Sequence, residues 1–263
     1  MTIKIKKRIN YKGMLQEIGH KLWHGFQNYR KNHGSLIAAS STFYAILSSL
    51  PIVLTLVSIL GVLLGDYRWA QGEVFFYMKL LFPNLSPWFF STVKNVVLAN
   101  SHLKVNWFNW IVLVWAATGF INSIFHGIHI LSGHQFHKTL FIPVKSFLVL
   151  IVTVAAVVFM IFVDSNIFHW MVILLYFTFM FYFIMGRTIS MKDAFLGAFT
   201  FVILFFLSKF LFWLYLKYLK TNLIRNFGDF YSMIVAVLWV YFVMISFFMS
   251  ASVAFIRPKL EKK

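Results

Sequence analysis

The sequence predicts an all-α membrane protein with six transmembrane helices, an N-terminal interfacial amphipathic helix and an extracytoplasmic helical segment. Hydrophobic residues make up 60% of the 263 residues and charged residues only 12%, whereas a soluble domain is roughly 25% charged. Six apolar runs come close to or exceed the ~20 residues that a membrane-spanning helix needs, and they do not alternate polar and apolar residues as barrel strands do. The absence of cysteine excludes disulfides and thiolate metal sites.

Residues 1–35 are predicted to form a basic cytoplasmic segment that contains an amphipathic helix over residues 14–29. Apolar side chains recur there every three or four residues, which places them on one face of a helix. Such a helix is expected to lie in the membrane interface. The side chains are Leu15, Ile18, Leu22, Phe26 and Tyr29.

Residues 36–256 are predicted to form the membrane domain, and residues 257–263 a basic cytoplasmic tail. The predicted spans cover residues 36–65, 107–130, 146–163, 167–185, 194–219 and 230–256. Between the first two spans, residues 66–106 are predicted to form the extracytoplasmic helical segment.

The basic residues predict the orientation, because cytoplasmic segments of membrane proteins are enriched in Lys and Arg. With both termini in the cytoplasm, the cytoplasmic segments hold sixteen of the 24 basic residues. The net charge of +17 is therefore interpreted as a signal of topology and of contact with anionic lipid headgroups. Nucleic-acid binding is not predicted.

Polar residues in the first two spans have two interpretations. They line a transport path or pocket, or they hold the helices together through hydrogen bonds. A proline in the first span removes a backbone hydrogen bond and is expected to kink the helix. The residues in question are Ser41, Thr42, Ser48, Ser49, Pro51, Asn122 and His126.

Small residues accompany these polar residues at helical spacing and predict close helix packing, since small side chains let helix backbones approach each other. They are Ala38 and Ala45 in the first span and Gly119, Ser123 and Gly127 in the second.

Two charged residues of the last two spans are further candidates for the path. Lys209 lies well inside the fifth span, where its stem can carry the ammonium group to the headgroups. Alternatively it marks a functional site, because a cation in the membrane is costly. Asp229 opens the sixth span and can pair with Lys209 or Arg225, or cap the helix.

Catalysis is not predicted, and no cofactor is expected. The sequence lacks a P-loop, a Rossmann fingerprint and the common hydrolase motifs, and its seven acidic residues are scattered. His126, His129, His134 and His137 are interpreted as a histidine cluster at the membrane interface in preference to a zinc site.

Several motifs resemble the YihY/virulence factor BrkB family, formerly labelled ribonuclease BN. Residues 38–51 read AASSTFYAILSSLP and resemble its opening signature, and residues 81–83, 192–198 and 227–228 resemble later motifs in the same order. Gly197 and Ala198, in the motif at 192–198, are predicted to pack helices. The resemblance implies a bacterial inner-membrane protein with six spans. Members usually show Gly-Ala-Glu-Leu at 250–253, whereas this chain has Ser252 in place of the acid.

The leading hypothesis for function is a transporter or lipid translocase of the cell envelope. The alternative is a non-transporting scaffold that binds lipid or envelope-assembly partners. A homo-oligomer is left open, and a ribonuclease is disfavoured because no metal ligands or acid–base pair are assembled. The substrate is not readable from the sequence.

Overall fold

The computed structural model confirms the all-α prediction in the part of the chain that it describes, where every regular element is helical. That part comprises residues 11–64, 72, 75, 76, 91, 95, 107–133, 148, 149, 151–153, 155, 156, 159, 166–185 and 189–256.

The described residues contain six long helices. Helices α2 to α6 coincide with the first, second, fourth, fifth and sixth predicted spans, although α5 continues eight residues past the predicted end at 219. The helices are α1 (Tyr11–Lys31), α2 (Gly34–Leu64), α3 (Trp107–Ser132), α4 (Asn166–Met185), α5 (Met191–Phe227) and α6 (Tyr231–Phe255), with a 3-10 turn at Gly228–Phe230 between the last two.

Two of the described helices, α5 and α6, are long and apolar enough to cross a membrane. The count of six spans stays a prediction. The described residues of the predicted third span, between 148 and 159, are helical. The predicted extracytoplasmic segment at 66–106 lies almost wholly outside the described residues, as do residues 1–10 and the basic tail at 257–263.

Helix α6 is the centre of the bundle and contacts α1, α2, α3 and α5. From Ser246 to Phe255 every residue of α6 except Met249 is buried. We call this end of the bundle the closed end. Small side chains make the close packing possible: a Cβ added at Gly197 of α5 would lie 3.2 Å from the Ser250 carbonyl oxygen.

Aromatic rings fill the space between α4, α5 and α6 near the closed end. The centroid of the Phe247 ring of α6 lies 5.5 Å from that of Phe181 and 6.1 Å from that of Phe177, both on α4. Phe201 of α5 lies 4.1 Å from Phe177. Tilted ring pairs at these separations add to the packing energy, so α4 is attached mainly through apolar contacts.

Helix α1 docks directly on α6 through polar contacts. Asn28 Nδ2 donates hydrogen bonds to the Leu131 carbonyl of α3 (2.8 Å) and to Ser252 Oγ of α6 (2.9 Å). Ser252 Oγ in turn donates to the Gly25 carbonyl at 3.0 Å. Ser252 is fully buried, so its hydroxyl takes up a position between α1 and α6.

The side of α1 that contacts α6 coincides only partly with the predicted apolar face of α1. Tyr29 is buried within the protein, whereas Leu22 is 39% exposed and the neighbouring Trp23 is 59% exposed. The contact face centres on Gly25, where a Cβ would lie 2.9 Å from the Val253 Cα. The backbone of α1 approaches α6 too closely there for a large side chain.

An ion pair joins α1 to the start of α5. Lys21 Nζ lies 2.9 Å from Asp193 Oδ1 and 3.2 Å from Glu17 Oε1. Ser190 caps α5: its hydroxyl accepts from the Asp193 backbone N–H and donates to Asp193 Oδ2. Partial burial alone would raise the pKa of Asp193, but the hydrogen bonds from Lys21 and Ser190 outweigh it and lower that pKa.

We expect Gly25→Ala to destabilise the protein by about 1–3 kcal/mol, because the added methyl group overpacks the contact with Val253. Gly19→Ala is the matched control on the same helix, since nothing lies within 4 Å of its Cβ position and alanine favours the helix. Thermal unfolding in detergent, followed by tryptophan fluorescence, measures both variants. Equal stability of the two variants would contradict the close contact of α1 with α6.

The ion pair predicts that α1 docks less tightly in acid. A carboxyl group whose pKa is lowered by folding stabilises the fold above its unfolded pKa of about 3.9 and loses this effect as the pH falls through its folded pKa. Below about pH 4 the wild type should become more susceptible to proteolysis in α1, whereas Asp193→Asn should be susceptible already at neutral pH. Because the pair is partly exposed, we expect it to contribute about 1 kcal/mol or less to the docking of α1. Lys192→Gln, which removes a neighbouring exposed charge, should behave as wild type.

Candidate functional site

The first and second predicted spans meet in a tightly packed interface. Ser41 of α2 is fully buried, and its Oγ lies 2.8 Å from Ser123 Oγ of α3. Gly127 lies against Ile37 and Phe248, whose side chains leave no room for a Cβ. Ala38 is fully buried, and Ala45 packs against the core. The structure thus places Ser41 in a helix contact.

Several hydroxyl groups of α2 bond within their own helix. Thr42 donates to the Ala38 carbonyl, Ser48 to Tyr44 and Ser49 to Ile46, at 2.7–2.8 Å. Helix α2 continues through Pro51 to Leu64, and the Pro51 side chain lies outside the described residues. These bonds leave the hydroxyls less able to bind a solute.

Asn122 and Gly119 line a small pocket on the side of α2 and α3. The pocket has a volume of about 170 Å³, and Tyr44, Leu47, Trp115 and Thr118 form the rest of its wall. His126, one turn further along α3, is exposed. These residues are separate from the Ser41–Ser123 contact.

The charged candidates lie elsewhere. Lys209 of α5 is exposed, while its neighbour Ser208 is buried and lies 2.8 Å from Ser246 of α6. Asp229 belongs to the 3-10 turn, and its side chain lies outside the described residues. Gly197 and Ala198 are buried near the closed end. The structure therefore distributes the sequence-predicted path residues over several places.

A groove runs along the first half of α6, between that helix and α2. It has a volume of about 690 Å³ and is lined by Ala39 and Thr42 of α2, Phe227 and Phe230 at the corner after α5, and Met233, Ile234, Val237, Leu238 and Tyr241 of α6. We call it the α2–α6 groove.

The α2–α6 groove is apolar and open to its surroundings. Phe230 is 69% exposed and Met233 54% exposed. Among the described lining residues, Thr42 and Tyr241 carry a polar group, and the Thr42 hydroxyl already bonds to Ala38. Such a surface binds hydrocarbon better than it binds a polar solute, which needs hydrogen-bonding partners.

Sequence reasoning missed the polar contacts that attach other helices to α6. Asn28 was not identified because it lies outside the predicted spans, and Ser252 was noted only as the replacement of an acid. One signal was present: Ser246, Ser250 and Ala254 recur every four residues, which is a spacing typical of close helix contacts.

The described residues contain no group of three or more His, Cys, Asp or Glu side chains that could hold a metal ion. Two members of the predicted histidine cluster, His134 and His137, are outside the described residues. The described lining of the groove is mainly apolar, which suits the binding of an apolar ligand.

A double-mutant cycle tests the contact between α2 and α3. Ser41→Ala and Ser123→Ala should be coupled by about 0.6 kcal/mol, a typical value for hydrogen bonds between membrane helices, since either substitution removes the same bond. Ser40 provides the control, because its hydroxyl bonds to the Ile37 carbonyl of its own helix. The destabilisations caused by Ser40→Ala and Ser123→Ala should be additive. Unfolding free energies in detergent provide the measurement, and additivity in both cycles would contradict the contact.

Comparison with known proteins identifies the family. No curated protein and no solved structure matched the chain. The family model described as virulence factor BrkB matches residues 25–263, from the contact of α1 with α6 to the last residue. Together with the two apolar helices, this match indicates a membrane protein, and the chain belongs to the virulence factor BrkB family.

Proposed function

We propose that this protein is a six-span protein of the bacterial inner membrane that transports lipid, as a translocase or as a transporter of lipid-like substrates. The α2–α6 groove carries this proposal. An open, apolar groove on the side of a membrane bundle is accessible to lipid tails, whereas a path for a polar solute would be lined by polar side chains.

The proposed topology has both termini in the cytoplasm, which agrees with the excess of basic residues on that side. Anionic headgroups on the cytoplasmic leaflet are the proposed partners of these basic residues. We propose no nucleic-acid partner, no cofactor and no enzymatic activity.

Lipid translocation in reconstituted vesicles tests the proposed function. Fluorescent phospholipids in both leaflets are exposed to a membrane-impermeant reductant, which quenches only the outer leaflet. Vesicles that contain the protein should lose more fluorescence than protein-free vesicles, because lipid moves between the leaflets. If no lipid moves, with or without an ion gradient, the lipid-transport proposal is wrong.

A reporter that is active only outside the cytoplasm tests the topology. The reporter should be inactive when it follows Met191, at the start of α5, and active when it follows Gly228, after the end of α5. The opposite pattern would reverse the orientation, and equal activity at both positions would contradict a membrane-crossing α5.

A further inference from the structure

We infer that the α2–α6 groove binds one acyl chain of an anionic phospholipid, whose headgroup lies against the basic end of α5. This inference rests on the proposed function, because it assumes that lipid surrounds α6, and it adds the position of the chain and the charge of the headgroup.

The length of the groove matches the hydrocarbon thickness of one bilayer leaflet. Phe230 and Tyr241 are eleven residues apart, which corresponds to about 16 Å along a helix. The hydrocarbon core of a bilayer is about 30 Å thick, so one leaflet contributes about 15 Å. The corner between α5 and α6 belongs at a membrane surface, since a chain reversal exposed to lipid is costly inside the core. The groove therefore runs from one surface to the middle of the membrane.

The lining of the groove suits a hydrocarbon chain. The groove has a volume of about 690 Å³, and its described lining residues are apolar except for Thr42 and Tyr241. A polar ligand would find few hydrogen-bonding partners there, whereas a hydrocarbon chain needs none.

The charge at the mouth of the groove favours an anionic headgroup. The last two turns of α5 carry Lys220 and Arg225, and the following turn carries one acid, Asp229. Lys220 precedes Phe227 by seven residues, two helical turns, so the two share a face of α5. Arg225 is exposed and close to the corner, and the stem of Lys220 can carry its ammonium group toward the same surface.

Photo-cross-linking tests the acyl chain without altering the protein. Wild-type protein is reconstituted in nanodiscs of phosphatidylglycerol and phosphatidylethanolamine that contain a phosphatidylglycerol with a diazirine midway along one chain. Cross-links should concentrate on α6 between Phe230 and Tyr241 and on Ala39 and Thr42. Cross-links spread evenly over the exposed faces of α4 and α5 would overturn the inference.

Filling the groove provides a second test. Val237→Trp places a bulky ring in the groove, and Leu207→Trp, the matched control, places the same ring on an exposed part of α5. Val237→Trp should lose the α6 cross-links and the phosphatidylglycerol that wild type retains in native mass spectrometry, and Leu207→Trp should keep both. Equal retention by the two variants would overturn the site.

The headgroup is tested by neutralising the basic end of α5. Lys220→Gln and Arg225→Gln should each reduce the preference for phosphatidylglycerol over phosphatidylethanolamine by about fivefold, the effect of one basic residue near an anionic surface. Asn222→Ala, which alters an exposed neutral side chain at the same end of α5, should not change the preference. An unchanged preference in the double variant Lys220→Gln, Arg225→Gln would overturn the assignment of an anionic headgroup.

Binding and transport can fail separately in these experiments. If wild type binds lipid in the groove but no lipid moves in vesicles, the proposed function is wrong and the binding site stands. If lipid moves equally well in wild type and Val237→Trp, and neither shows cross-links on α6, the function stands and the binding site is wrong.

Discussion

The burial of the second half of α6 on every side is the constraint on which the rest of the structure depends. A helix surrounded by other helices must present small side chains wherever a neighbouring backbone comes close. Ser250 and Ala254 meet Gly197 of α5, Ser252 meets the Gly25 carbonyl of α1, and Phe248 lies against Gly127 of α3. The buried hydroxyl groups of Ser250 and Ser252 have carbonyl partners, as buried polar groups in hydrocarbon require.

Close packing at one end of α6 leaves the other end open. Helix α2 is held near α6 where Ile37 and Phe248 meet against Gly127, and the α2–α6 groove begins just beyond, at Ala39 and Thr42. The outer lining residues, such as Met233 and Val237, are exposed because no described helix covers them. Helix α2 thus packs against α6 at the closed end, and the groove forms where this contact ends.

The structure shows why a serine fits at position 252, where the family motif has an acid. A serine hydroxyl is small enough to fit between α1 and α6, where it accepts from Asn28 and donates to the Gly25 carbonyl. An acidic side chain at this buried position would need a cation or several donors. Asn28 supplies a neutral amide, so the serine and the asparagine form a neutral pair that attaches α1 without a buried charge.

The predicted positions of the helices agree with the structure because helix formation in an apolar chain follows from local composition. Runs such as residues 107–130 must satisfy their backbone hydrogen bonds internally, and the corresponding helices end within three residues of the prediction except at the C-terminal end of α5. Spacing alone does not assign roles to individual polar residues, because it does not distinguish a hydroxyl that faces a path from one that faces another helix. Ser41 pairs with Ser123 and Thr42 bonds to its own helix, while the apolar residues that line the groove, such as Val237 and Leu238, resemble any other part of a span.

The sequence by itself determined that this is a helical membrane protein of the BrkB family, since composition, apolar run length and ordered motifs are local properties of the chain. Only the tertiary structure decided which face of α1 is buried, which serines are paired across helices and where the α2–α6 groove lies. Those features depend on how closely two backbones approach. That distance is set by pairs of residues far apart in the sequence, such as Gly25 with Val253 and Gly197 with Ser250, and no local pattern of hydrophobicity specifies it.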